Sequence, residues 1–243
     1  MLRGEPSPCQ APQVAPGQTA PPTGDRVLRG RGHVGDRGRS WIFGLLYGPL
    51  APVYDVFTRW LFLGEWARWQ QTALGFLPER GVIGELGAGT GALAAAGTRP
   101  GRVWLAIEPS AAMLAVARRR TSPGLTFLRA RAQALPIATG AVDAVVATFP
   151  TRYILDLLTA AEIARILKPG GALVVVLSGS LAADSPRRRL RRIGLSLFYG
   201  RWDDRLQNTI AIPGFSAALH QITTTHGLAI VYVGQVIGVS GQP

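Results

Sequence analysis

The chain has little cysteine, few acidic side chains and no long apolar run. Cys9 is the one cysteine among 243 residues. An intramolecular disulfide and a cysteine-built metal site are therefore excluded, and no metal site is read elsewhere. The count agrees with a reducing compartment. Asp and Glu number 14 against 26 Lys and Arg, a formal net charge of +12. That balance draws a protein toward phosphate, in nucleic acid or on an anionic membrane, and says nothing about chemistry. No stretch reaches the roughly 18 uninterrupted apolar residues of a spanning helix. Trp41 to Trp66 comes nearest, and Gly48, Pro49, Pro52, Asp55 and Arg59 interrupt it. Met1-Leu2-Arg3-Gly4 leads into no apolar run, so no secretory signal is expected. A cytoplasmic or membrane-peripheral location follows as an expectation.

Apolar residues make up 47% of the chain, enough for a core. Residues 1–40 stand apart. They are rich in Pro, Gly, Gln and Arg and nearly free of aromatics, so they read as a disordered tail. Arg26 to Arg39 alternates Arg with Gly, which fits either an RGG-like nucleic-acid tail or a solvated extension. Residues 41–243 read as one domain. Its parts are leading helices over 41–80, a core over 81–178, a basic insertion or lid over 179–226, and a C-terminal strand region over 227–243.

The core alternates strands with helices. Strands are predicted at Val82–Leu86, Val103–Ile107, Leu125–Leu128, Val142–Ala147 and Ala172–Leu177. Helices are predicted over Ala92–Ala96, from a Ser110 cap to about Arg120, and over Leu157–Leu167. Lys168-Pro169-Gly170-Gly171 stops the last of these. Strands apolar on both faces, separated by helices, indicate an α/β fold with a mostly parallel, doubly wound sheet. Ligands of such sheets bind beyond the C-terminal strand ends, where strand order reverses.

The loop after the first strand is Glu85-Leu86-Gly87-Ala88-Gly89-Thr90-Gly91. Glycines at alternate positions permit a tight turn and close approach of a ligand to the backbone. The helix that follows offers free N–H groups. Gly87-x-Gly89-x-x-Ala92 also satisfies a loose dinucleotide fingerprint, so the loop alone leaves both readings open. Glu85 is expected to favour a cationic ligand and to repel a pyrophosphate. Glu108 ends the second strand, where a carboxylate can accept from a ribose diol.

Together, Glu85-x-Gly-x-Gly-x-Gly, Glu108-Pro109, Ala134-Leu135-Pro136, Val142-Asp143-Ala144-Val145 and Leu167-Lys168-Pro169-Gly170-Gly171 resemble the class I S-adenosylmethionine-dependent methyltransferases. The resemblance spans residues 45–178 and is strongest to the type 11 small-molecule group that includes ubiquinone and menaquinone methyltransferases. It implies a Rossmann-like sheet of about seven strands and S-adenosyl-L-methionine as cofactor. Glu85 and the backbone of Gly87 and Gly89 would hold the methionine part, Glu108 would bind the ribose hydroxyls, and Ala88 and Gly91 would also bind the cofactor. Pro109, Ser110 and Met113 would flank the adenine, with Ala132 and Gln133 by its amino edge. Thr148-Phe149-Pro150 would face the transferred methyl. Tyr47 and Tyr54-Asp55 would close over the cofactor. Met113 fits helix core equally, and Tyr47 and Tyr54 fit packing.

The sequence departs from the family in three places. Arg131 stands where the family often has Asp near the adenine. The final strand pair looks abbreviated at Leu228 to Val239. Pro186-Arg187-Arg188-Arg189-Leu190-Arg191-Arg192 precedes Ile193, Leu195, Leu197, Phe198 and Tyr199. This basic-to-apolar succession fits a solvated insertion, or a lid that touches an anionic membrane through Arg187–Arg192. Aromatic stacking motifs for nucleic acid are missing. His220 and His226 fit a general base or the core edge. The expected function is methyl transfer to a small, apolar acceptor, with no catalytic residue named. A noncatalytic binding protein of the same fold and a nicotinamide-dependent oxidoreductase are the alternatives.

Overall fold

The computed structural model describes residues 48–120, 122–182 and 211–237. The 1–40 tail, Tyr47 and the Arg187–Arg192 cluster lie outside them. The sheet has seven strands: β1 Gly81–Leu86, β2 Arg102–Ile107, β3 Leu125–Leu128, β4 Val142–Thr148, β5 Leu167–Leu181, β6 Phe215–Thr224 and β7 Gly227–Val236. Their order is β3-β2-β1-β4-β5-β7-β6. The first five run parallel, and β7 lies antiparallel between β5 and β6. Strand order reverses between β1 and β4, which opens the crevice beyond Leu86 and Thr148.

Among the described residues, five α-helices cover the sheet: α1 Tyr54–Leu61, α2 Glu65–Gln71, α3 Ala92–Gly97, α4 Ala111–Ala117 and α5 Leu157–Ile166. The two-residue period of the strands sorts their side chains between two cores. Val145, Ala147, Leu173 and Val175 face Ile163 and Ile166 of α5. Ala144, Val146, Val174 and Val176 face Trp69 of α2 and Leu93 of α3. Unbroken apolar strands are thus explained by burial on both faces.

The leading helices break where Leu63 and Gly64 turn left-handed, at φ 57° and 79°. Glu65, which begins α2, is fully buried. It accepts from Arg68 Nη1 at 2.7 Å and from the Thr224 hydroxyl of β6. Burial pushes its carboxyl up, but these hydrogen bonds outweigh that and leave it below the ordinary value.

The glycine pair expected to end α5 does more than stop the helix. Val142 pairs with Leu167 and Ala144 with Ala172, so Lys168–Gly171 loop out opposite Asp143. Lys168 Nζ stands 2.8 Å from Asp143 Oδ1, and the Val82 N–H donates to Asp143 Oδ2 at 2.7 Å. This motif pins the start of β5, at the opposite end of the sheet from the glycine loop.

Part of the span read as insertion, 179–226, is sheet. Leu181 ends β5, and Phe215–Thr224 form β6. The final pair, expected to be abbreviated, runs antiparallel, consistent with an abbreviated end, and the turn Thr225-His226 joins its two strands of ten residues each.

Candidate cofactor site

The glycine loop takes the shape its spacing requires. Gly87, Gly89 and Gly91 all have positive φ, at 71°, 55° and 73°. The N–H groups of Gly87 and Ala88 donate to the Ile107 carbonyl at 2.9 and 3.0 Å, tying the loop to the end of β2. A Cβ on Gly91 would stand 3.2 Å from Ala117 Cβ, and one on Gly87 would stand 3.1 Å from the Tyr153 hydroxyl. A Cβ on Gly89 would meet nothing within 4 Å. Gly87 and Gly91 therefore serve packing within the fold, while Gly89 leaves its backbone open to a ligand. The Tyr153 hydroxyl donates to the Leu86 carbonyl at 3.2 Å, fixing the end of β1 from the other side.

Glu108 lies directly beside this loop. Its Oε2 accepts the Gly89 N–H at 2.9 Å and its Oε1 accepts the Ser110 N–H at 2.9 Å. Burial raises its pKa, and the two backbone donors offset only part of that. Each oxygen keeps a lone pair, so the carboxylate can still receive two hydroxyl donors. Ser110 caps α4 as expected, its Oγ accepting the Met113 N–H at 3.2 Å. Pro109 between them is exposed.

Two expected contacts take a different form. Glu85 is buried, 2% exposed, and its Oε2 accepts from Trp104 Nε1 at 2.8 Å. Burial pushes its carboxyl up to about 8, the Trp104 bond lowers it in part, and the charge of Glu108 adds to the rise. Its carboxyl is thus turned toward β2 and engaged by the Trp104 indole, in place of the expected open carboxylate facing a cationic ligand. Met113 is 0% exposed and packs in the interior, with no surface for an adenine ring.

At the end of β4, Thr148 Oγ1 accepts from Gln70 Nε2 of α2 at 3.1 Å. Phe149 is left-handed at φ 48°, and its N–H donates to the Val176 carbonyl at 2.8 Å. That backbone turn throws its ring onto Trp66, with centroids 4.1 Å apart and planes at 25°. Trp69 meets Phe149 edge-on at 6.3 Å. Phe62 lies 4.8 Å from Trp66. The leading helices thus build an aromatic wall on the strand end expected to face the reacting group.

The segment expected at the adenine edge is held firmly. Gln133 Nε2 donates to Asp156 Oδ2 at 3.1 Å, and Ala132 is half-buried beside it. The Leu135 N–H donates to Glu162 Oε2 at 2.7 Å, while Arg165 donates to the Ile137 and Leu135 carbonyls at 2.7 and 3.1 Å. The Arg165 guanidinium is the main reason the Glu162 carboxyl is held down at about 2.

Tyr54 opens α1 and is half-buried; its neighbour Asp55 accepts from the Thr90 hydroxyl of the glycine loop at 2.8 Å. His220 sits on β6 with its ring 4.8 Å from Phe76. β6 is four strands from β1, about 19 Å at ordinary strand spacing, so His220 is not brought to the loop. Sequence reasoning missed Trp104, Gln70, Trp66 and Tyr153. Trp104 carried a signal: an indole N–H within an apolar strand needs a buried acceptor, and Glu85 is the acid on the neighbouring strand.

Residues 84–175 match the family described as methyltransferase domain. Curated relatives include the demethylmenaquinone methyltransferases of Renibacterium salmoninarum and Thermus thermophilus. The first is 36% identical over 54% of this chain and 56% of that protein; the second is 38% identical over 54% and 63%. The chain therefore spans less than two thirds of the length of these relatives. Among solved structures, an S-adenosyl-L-methionine-dependent methyltransferase of Thermotoga maritima shares the fold, with TM-score 0.51, 20% identity, and 77% of this chain and 98% of that chain covered. A Methanococcus maripaludis chain assigned to the same class has TM-score 0.55 at 17% identity over 79% and 96%. No described helix is long and apolar enough to cross a membrane.

Proposed function

We propose that the protein is a methyltransferase that takes S-adenosyl-L-methionine in the β1–β4 crevice and methylates a flat, apolar small molecule. The observation that carries the cofactor reading is the pairing of Gly89 with Glu108. A backbone open on its Cβ side lies against a carboxylate with spare lone pairs. Those two features fit the ribose of an adenosine. Gly87, Ala88 and Gly91 shape the loop for the methionine part. Pro109 flanks the adenine on this reading, with Ala132 and Gln133 at its amino edge. Thr148 and Tyr54 complete the pocket at the reacting end.

The cofactor supplies an activated methyl on a cationic sulfur, so the chain has to align the acceptor and exclude water. The Trp66–Phe149 stack supplies a flat apolar surface at the end of β4, and Gln70 fixes the neighbouring Thr148 hydroxyl. The demethylmenaquinone named for the relatives carries a flat ring of this kind, so the favoured acceptor is a quinone-type ring in its reduced, electron-rich form, whose carbon takes the methyl from sulfur and loses a proton to solvent. The arginines of 187–192 would bring the protein to the anionic membrane where such acceptors reside.

The test is incubation of the full chain with methyl-labelled S-adenosyl-L-methionine and a bacterial lipid extract, read by mass. A labelled methyl in the quinone fraction is the expected result. Cofactor binding with no transfer to any fraction would favour a noncatalytic binding protein. Binding of NAD in place of S-adenosyl-L-methionine would favour an oxidoreductase.

A further inference from the structure

Three segments far apart in the chain meet on Thr90, the residue between Gly89 and Gly91. Asp55 of α1 accepts the Thr90 hydroxyl at Oδ1, 2.8 Å away. Its other oxygen, Oδ2, accepts from Arg120, just beyond α4. Arg120 in turn donates to the Thr90 carbonyl. The loop residue is thus gripped at its side chain and its backbone by an ion pair whose members lie 35 and 30 residues away in sequence.

The ion pair is only partly buried: the Arg120 side chain is 32% exposed and the Asp55 side chain 36%. Exposed pairs of that kind add little to stability. Thr90 itself is 4% exposed and wedged between two left-handed glycines. Glycines give a loop freedom that a ligand must remove on binding. A cluster that fixes the residue between them removes that freedom in advance.

We propose that Asp55 is a positioning residue for the cofactor loop. Acting through Thr90 and with Arg120, it preorganises Gly89 and Glu108 and couples α1 to cofactor occupancy. The inference rests on the cofactor reading above. Because coupling is reciprocal, cofactor binding should also steady α1, and loss of the Asp55 contact should weaken the cofactor without unfolding the domain.

The experiment measures S-adenosyl-L-methionine affinity by calorimetry on the full chain and on Asp55→Ala, Asp55→Asn, Thr90→Val and Thr90→Ser, with melting curves taken without ligand. Amide hydrogen exchange of residues 54–61 is followed on the unaltered chain with and without cofactor. Asp55→Ala and Thr90→Val are expected to weaken binding about tenfold, with a double variant no worse than either alone. Thr90→Ser should restore affinity, and Asp55→Asn should fall between. Exchange over 54–61 should slow when cofactor is added. Unchanged affinity in folded Asp55→Ala and Thr90→Val, or unchanged exchange in the unaltered chain with cofactor bound, would overturn the proposal. If Asp55→Ala does not fold, the Thr90 pair and the exchange measurement decide. Failure of the unaltered chain to bind S-adenosyl-L-methionine at all would remove the cofactor reading, a different outcome from binding that ignores Asp55.

Discussion

Glu85 on β1 and Trp104 on β2 are joined by a hydrogen bond of 2.8 Å in the interior of the domain, the indole N–H donating to Oε2. The acid that opens the glycine loop is therefore part of the fold's internal bonding. Its carboxyl ionises near 8 in the folded chain against an ordinary 4.5, chiefly through burial. Between those values the folded state holds one proton more than the unfolded state. Stability from this group is full below about 4.5 and declines as pH rises to about 8, at up to about 1.4 kcal/mol per pH unit. Glu85→Gln keeps an acceptor for Trp104 and loses the ionisation. The variant is expected to melt higher than the parent at pH 8, with a flatter pH profile between 5 and 8. A parallel profile for the two proteins would refute the assignment.

Trp104→Phe removes the donor and leaves Glu85 buried without one. The expected loss is about 1–3 kcal/mol, read from urea unfolding. The same change in the Glu85→Gln background should cost an amount that differs from this, because the two side chains are in direct contact.

Gly89 and Gly91 separate binding from folding. Both are left-handed, so an alanine at either costs roughly 1–2 kcal/mol in backbone strain. Only at Gly91 does the new methyl meet a neighbour, Ala117. Gly89→Ala is expected to fold and lose cofactor affinity; Gly91→Ala is expected to lose more stability. Equal affinity for Gly89→Ala and the parent would mean that no ligand lies against Gly89.

Much of this fold is legible in the sequence. The first five strands end within a few residues of their predicted bounds, except for the two ends of β5, because each is a short apolar run bounded by glycine or proline. The loop shape and the Ser110 cap are legible for the same reason: glycine spacing and an N-cap serine act locally. The exceptions depend on what lies across space. β6 is not legible locally because Phe215–Thr224 mixes polar and apolar residues on an edge strand and follows an arginine-rich stretch. Glu85 reads as a ligand-facing charge until Trp104 is placed opposite it. Met113 fits both core and ligand until α4 is docked. The Asp55–Thr90–Arg120 cluster joins segments that no local pattern connects.

Glu162 and Arg165 hold the segment Leu135–Ile137 against α5. The Glu162 carboxyl lies near 2 against an ordinary 4.5. A depressed carboxyl contributes stability that is present above about 4.5 and is lost as pH falls through about 2. Glu162→Gln is therefore expected to be less stable than the parent at pH 7 and to lose less on acidification. Acid titration followed by circular dichroism checks this, and identical acid midpoints would count against the cluster.

Calorimetric titration of S-adenosyl-L-methionine into the full chain and into Glu108→Ala tests the central claim most directly. The parent should bind, and the variant should bind more weakly by about 1–3 kcal/mol, roughly 5- to 150-fold, the usual loss of hydrogen bonds to a charged group. A parent that takes no S-adenosyl-L-methionine, or a folded Glu108→Ala that binds it as tightly as the parent, would contradict the account.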